Sequence, residues 1–256
     1  MEPHEVSGHD RIAITRIAPH GAISIAVGLT IVAFIENLAP WGPFYVIYAV
    51  LTIIAGLRLR TIWRRDAPGP RTRVRTWWAA IGLGVGFQIV GAVLMGVVVP
   101  ALLAARGVPE SDAAGPRWSL DAALRSLAAG RAESWGVDAH RVMLAYLAFV
   151  TAWAGFGEEV FYRGTLHGAL QPRWGFVPAA TISSAFFAVR HATQLAGLGA
   201  EYPWGAAAVW MVFAFLFGFA ASALFARTRR LGPAIVAHYV LNLIPFVAFL
   251  ASPRPG

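Results

Sequence analysis

Apolar and polar positions fall into long blocks along the chain. Seven apolar blocks stand out, at residues 21–38, 44–57, 77–105, 142–170, 176–191, 206–226 and 233–250. Blocks of this kind predict helices, and runs near twenty residues match the roughly 30 Å of bilayer hydrocarbon. The block at 206–226 has 21 residues and no charge, and is the least ambiguous span. The block at 44–57 is short for a span, but Arg58 and Arg60 can lengthen it by snorkelling. Residues 39–43 (APWGP) predict a tight turn, because both prolines break a helix and Gly42 frees the backbone. In the third block Gly82 and Gly86 are four apart, a spacing that predicts close approach by another helix, and Pro100 predicts a kink or an early end. The fourth block reads as helix through Leu170, ending before Pro172, and Pro245 interrupts the seventh.

The polar blocks set an expected topology. Residues 1–20 read as a polar tail, and His4 and His9 within it suggest no metal site. Residues 58–75 contain seven Arg and one Asp, so this loop is expected in the cytoplasm. Residues 106–141 carry five Arg and five acidic residues, a balanced charge that suits the other side. Within them, Leu120, Leu124 and Leu127 have helical spacing and predict either an interfacial amphipathic helix or a plain loop helix. Arg173 and the Arg227–Arg230 cluster then fall on the side of the seven-Arg loop. This places the N-terminus inside and, with seven spans, the C-terminus outside. The expected division is a tail at 1–20, an N-terminal transmembrane region at 21–141, a core at 142–250 and a tail at 251–256. The expected fold is an all-α, polytopic membrane bundle. One misread span, with 77–105 as a pair or 44–57 as re-entrant, would change the parity.

Composition agrees with a membrane setting. The chain is 57% hydrophobic and 13% charged, against about 25% charged in an average soluble domain. Cysteine is absent, which excludes disulfides and thiolate metal sites. All 21 basic residues are Arg, and the formal charge is +8. They cluster between apolar runs without interleaved aromatics, so the expected partner is lipid and not nucleic acid. A cleavable signal peptide is not expected, because the first apolar run starts late and lacks a small-x-small site. The expected location is the plasma membrane. Nothing in the sequence sets an oligomeric state.

The densest chemistry lies at residues 155–164, GFGEEVFYRG. Charges inside a bilayer need partners or water, so Glu158, Glu159 and Arg163 suggest a function. They could equally sit beyond the membrane as a solvated helix end. On a helix, Glu159 and Arg163 share a face and can pair, whereas Glu158 points elsewhere and is expected to stay free as a candidate general base. Phe187 and His191 are four apart in the fifth block; a lone His there is also an ordinary packing residue. His238 and Asn242 are four apart in the seventh, where helix–helix hydrogen bonding is the plainer explanation. If these faces converge, a carboxylate and an imidazole can deprotonate water while a second imidazole and a carboxamide stabilise an oxyanion. One Glu and two His (Glu158, His191, His238) also suit catalytic zinc, although no HExxH pair is present. Depth opposes convergence: fifteen residues from Phe176 put His191 about 22 Å along its helix, whereas His238 lies near the start of its own.

Three motifs recur here in order: Glu158-Glu159-Val-Phe-Tyr-Arg163, Phe187-Ala-Val-Arg-His191 and His238-Tyr-Val-Leu-Asn242. Together they resemble the CPBP family of intramembrane proteases, which includes type II CAAX prenyl endopeptidases and relatives of bacteriocin-immunity proteins. The resemblance covers roughly residues 142–250. It implies a helical membrane bundle, often with eight spans, one more than counted here. It also implies that Glu158 and His191 activate water, that His238 and Asn242 stabilise the oxyanion, and that Glu159, Arg163 and Phe187 support them. No cofactor is expected in that glutamate mechanism; Zn2+ is the alternative. The implied substrate is a membrane-associated protein or peptide. A transporter would instead predict repeated halves, which the one-sided distribution of polar residues disfavours. A non-catalytic scaffold or immunity protein would leave these buried polar groups without a purpose that offsets their cost.

Overall fold

The computed structural model describes residues 17–38, 46–59 and 74–251, and every long element in it is a helix. The expected turn at 39–43, most of the seven-Arg loop and both expected tails lie largely or wholly outside the described residues. Helix α1 (Pro19–Leu38) is followed by α2 (Val46–Leu59) and α3 (Val74–Ala105). Helix α4 (Leu120–Trp135) precedes α5 (Ala139–Glu159), which runs through a π-helical stretch (Val160–His167) into α6 (Gly168–Trp174). The chain closes with α7 (Phe176–Thr193), α8 (Trp204–Thr228) and α9 (Leu231–Ala251).

Four of these helices, α1, α3, α8 and α9, are long and apolar enough to cross a membrane, and α2 is a shorter apolar helix. The protein is therefore a multi-pass membrane protein. The expected seven exceeds these four because α2 is short, while α5 and α7 carry the buried charges. Exposed aliphatics such as Ile31, Ile35, Ile54, Ile89 and Leu102 cover the outside. Small residues mark the inner faces, as where helices pack without a hydrophobic gradient from lipid. On α1 the buried stripe is Ala22, Ala26, Leu29 and Ala33, and on α8 it includes Ala214, Gly218, Ala221 and Ser222.

Helices α5 and α9 pack together, as do α7 and α8; α1 lies on α7, and α3 lies on the outside of α9. The close approach of α3 does not use the expected glycines. A side chain at Gly82 or Gly86 would meet nothing within 4 Å. Gly84 is the contact instead, where a Cβ would lie 2.5 Å from the Ala237 carbonyl and 2.8 Å from Val240. Spacing four apart defines a face but not which face is turned inward.

The prolines also behave differently from expectation. Helix α3 passes through Pro100, with a π-helical turn at Leu94–Val98 just before it. That wider turn relieves the clash between a proline ring and the carbonyl of the preceding turn. Helix α6 continues past Pro172 to Trp174 and stops at Gly175, whose φ of 78° suits glycine. Helix α9 likewise runs through Pro245.

Helix α4 resolves the choice left open for residues 119–131. Its apolar face packs on protein, with Leu124, Ala128 and Ala132 against Val142, Met143 and Tyr146 of α5. Ser119 caps its N-terminus by accepting from the Ala122 N–H, and Gly136 ends it in the left-handed conformation. Arg131, buried on the same helix, donates to the Asn37 carbonyl at 3.1 Å. Helix α4 is thus tied to the end of α1.

Candidate functional site

The site forms where α5, the π-helical stretch, α7 and α9 meet. Glu158 and Glu159 end α5, and Arg163 lies inside the π-helical stretch. π-Helical turns are rare and frequently lie at functional sites. Glu159 and Arg163 pair as their spacing predicts, with Arg163 Nη1 donating to Glu159 Oε1 at 2.9 Å. The guanidinium also lies over the Phe187 ring, 4.6 Å from its centre.

Glu158 is not free, contrary to expectation. Arg190 Nη2 of α7 lies 2.7 Å from Glu158 Oε1. Sequence reading passed over Arg190, although it stands inside the second motif beside His191. The signal was charge balance. Glu158, Glu159 and Arg163 alone would leave one net negative charge buried, and uncompensated buried charge is strongly destabilising. Two carboxylates now face two guanidiniums, with exposures of 1%, 0%, 0% and 1% for Glu158, Glu159, Arg163 and Arg190.

His238 joins both carboxylates. Its Nδ1 lies 2.8 Å from Glu159 Oε1, and its Nε2 lies 3.7 Å from Glu158 Oε2. A carboxylate accepts, so Nδ1–H donates to Glu159 and the ring is oriented with Nε2 toward Glu158. The rings of Phe187 and Phe217 pack on the same imidazole at 5.8 and 5.2 Å.

His191 reaches the site from the side. Its Nδ1 donates to the Phe187 carbonyl at 2.7 Å, which leaves Nε2 as the acceptor of the neutral ring. Its ring meets Phe187 at 4.4 Å and Trp210 of α8 at 5.3 Å. The depth mismatch is reduced in two ways. Helical side chains lean toward the N-terminus of their helix, so the imidazole hydrogen-bonds one turn back. Phe187 then bridges the two, touching both His191 and His238. The two imidazoles therefore share one aromatic neighbour. Asn242 stands one turn beyond His238 on α9. Its Nδ2 is buried and makes no hydrogen bond among the described residues, while its carbonyl accepts from Thr151 at 3.4 Å.

Among the described residues, no three His, Asp or Glu side chains are placed to hold a metal ion together. Glu158 faces Arg190, and His238 Nδ1 is occupied by Glu159.

Residues missed from sequence also surround the site. Tyr48 of α2 is fully buried, and its hydroxyl lies 3.0 Å from that of Tyr162. Glu36, at the end of α1, is buried and caps α2. Its two carboxylate oxygens accept from the Ile47 and Tyr48 N–H groups, each at 2.9 Å.

Residues 140–244 match the family model described as type II CAAX prenyl endopeptidase Rce1-like. No curated protein and no solved structure matches the chain.

Proposed function

We propose that the chain is an intramembrane protease of the CPBP family, a reading supported by its Rce1-like match at residues 140–244, and that it hydrolyses peptide bonds of membrane-associated proteins or peptides. The observation that carries this reading is the meeting of Glu158 and Glu159 with His238, 3.7 and 2.8 Å apart, inside a helical bundle. Glu158 Oε2 accepts a proton from water as the water oxygen attacks the scissile carbonyl carbon. His191 Nε2, an acceptor, orients that water. His238, held through Nδ1 by Glu159, and the Asn242 carboxamide together stabilise the developing oxyanion. As the tetrahedral intermediate collapses and the C–N bond breaks, Glu158 passes its proton to the leaving amine. Such positioned donors and proton acceptors each contribute orders of magnitude in rate.

The proposed mechanism needs no cofactor. The proposed setting is the plasma membrane, with seven spans and the N-terminus inside. Described contacts support that orientation. His20 of α1 meets Trp174 of α6, and Trp77 of α3 lies beside Gly232 of α9, so the two ends within each pair lie together. Arg75, Arg173 and Arg227 lie near those ends, and Arg-rich ends remain in the cytoplasm.

The test compares membrane peptides from cells carrying the wild-type chain and Glu158→Gln. Peptide ends present with the first and lost with the second identify substrates. Identical peptide sets overturn the assignment. Metal content of detergent-purified protein, with cleavage before and after chelation, tests the metal-free mechanism.

A further inference from the structure

We propose that Arg190 is a positioning residue for Glu158 and that Tyr48, on a helix outside the family-matched segment, braces it. The N-terminal helices would then complete the reaction site. This inference deepens the reading above and rests on Glu158 being the reacting carboxylate.

The terminal torsion of a Glu side chain is broad and roughly two-fold, so its own rotamer does not fix the carboxylate plane. Something outside the side chain must fix it. The Arg190 guanidinium holds it by charge, with Nη2 2.7 Å from Oε1 though not aligned as a hydrogen bond, which leaves Oε2 as the oxygen beside His238 Nε2. Arg190 is itself fixed by aromatic faces. Its guanidinium carbon lies 5.0 Å from the Tyr48 ring centre and 5.7 Å from that of Trp153. Those distances suit cation–π attraction, which strengthens when the cation is desolvated. The two rings also pack on each other, edge to face, with centroids 5.7 Å apart.

Tyr48 is placed from the other side of the bundle. Glu36 of α1 holds the Ile47 and Tyr48 N–H groups, so the first turn of α2 is pinned to α1. The Tyr48 hydroxyl meets that of Tyr162, inside the motif carrying both glutamates. A line of constraint thus runs from Glu36 through Tyr48 and Arg190 to Glu158.

N,N′-Dicyclohexylcarbodiimide, an apolar reagent for protonated carboxyls in membranes, tests this on the detergent-purified full chain. Mass spectrometry locates the adduct, and Glu158→Gln identifies the Glu158 signal. Glu158 is expected to resist labelling in the wild type. Arg190→Gln should raise its labelling about tenfold or more, because an unpaired buried carboxylate favours its neutral form. Arg190→Lys should restore most of the protection. Tyr48→Phe keeps the ring and should stay protected, whereas Tyr48→Ala should label. Size-exclusion profiles and melting curves separate these changes from unfolding. Equal labelling of wild type and Arg190→Gln overturns the inference, as does equal labelling of Tyr48→Phe and Tyr48→Ala. Retained cleavage in Glu158→Gln instead overturns Glu158 as the reacting carboxylate, the reading on which this inference rests, and leaves the labelling pattern intact.

Discussion

Truncating Arg163 would strand Glu159 without its strongest partner in a place water does not reach. Breaking one side of a buried ion pair typically costs about 3–5 kcal/mol. Arg163→Ala is therefore expected to lower thermal stability in detergent strongly, while Arg163→Lys recovers part of the loss. Glu158→Gln acts differently. It preserves shape and leaves an acceptor oxygen for Arg190, but removes the proton acceptor. Cleavage of a substrate found by the peptide comparison is expected to fall by about 10²–10⁴-fold, measured as initial rates at saturating substrate. The Glu159–Arg163 pair was legible from sequence because a spacing of four on one helix fixes proximity locally. The Glu158–Arg190 pair was not. Its partners lie on different helices, and only packing brings position 190 to position 158.

At the scale of elements, helix periodicity states which residues share a face but not which face turns inward. Gly82, Gly84 and Gly86 show the difference. Gly84→Val would force side-chain carbon into the space beside the Ala237 carbonyl, and overpacking of this kind costs about 1–3 kcal/mol. Gly82→Val meets open space and should melt close to the wild type. Melting curves of the two purified variants, compared side by side, check this; equal losses would place α3 wrongly against α9. Glu36 makes a second case. Glu36→Ala removes both acceptors from the first turn of α2, and loss of a helix cap costs about 0.5–2 kcal/mol. The expected result is reduced thermal stability, with Glu36→Asp less affected than Glu36→Ala. Pro100 was read from sequence as a kink or an early end, Pro172 as a stop and Pro245 as an interruption, and all three lie within helices. A membrane helix whose neighbours and local π adjustments absorb the lost hydrogen bond has no reason to stop.

For the whole molecule, the orientation in the membrane is directly testable, because the chain has no cysteine of its own. Single cysteines at Ser134 on α4 and Arg173 on α6, both exposed, are expected to react with a membrane-impermeant maleimide from opposite sides of sealed vesicles. Labelling of both from one side would contradict the proposed topology. At this scale the sequence by itself determined the class of protein. Apolar blocks of membrane length, scarce charge and a late cluster of ionisable groups follow from chain chemistry alone, because lipid leaves the backbone no alternative to helices here. The motif residues were also visible, since each motif is confined to about one helical turn. What only the tertiary structure decided was how those turns meet. The lean of the His191 side chain and the interposed Phe187, which touches both rings, link His191 to His238. Charge neutrality in a dry interior recruited Arg190, and an N-terminal helix supplied Tyr48. None of these contacts is local in sequence, so no spacing along the chain encodes them.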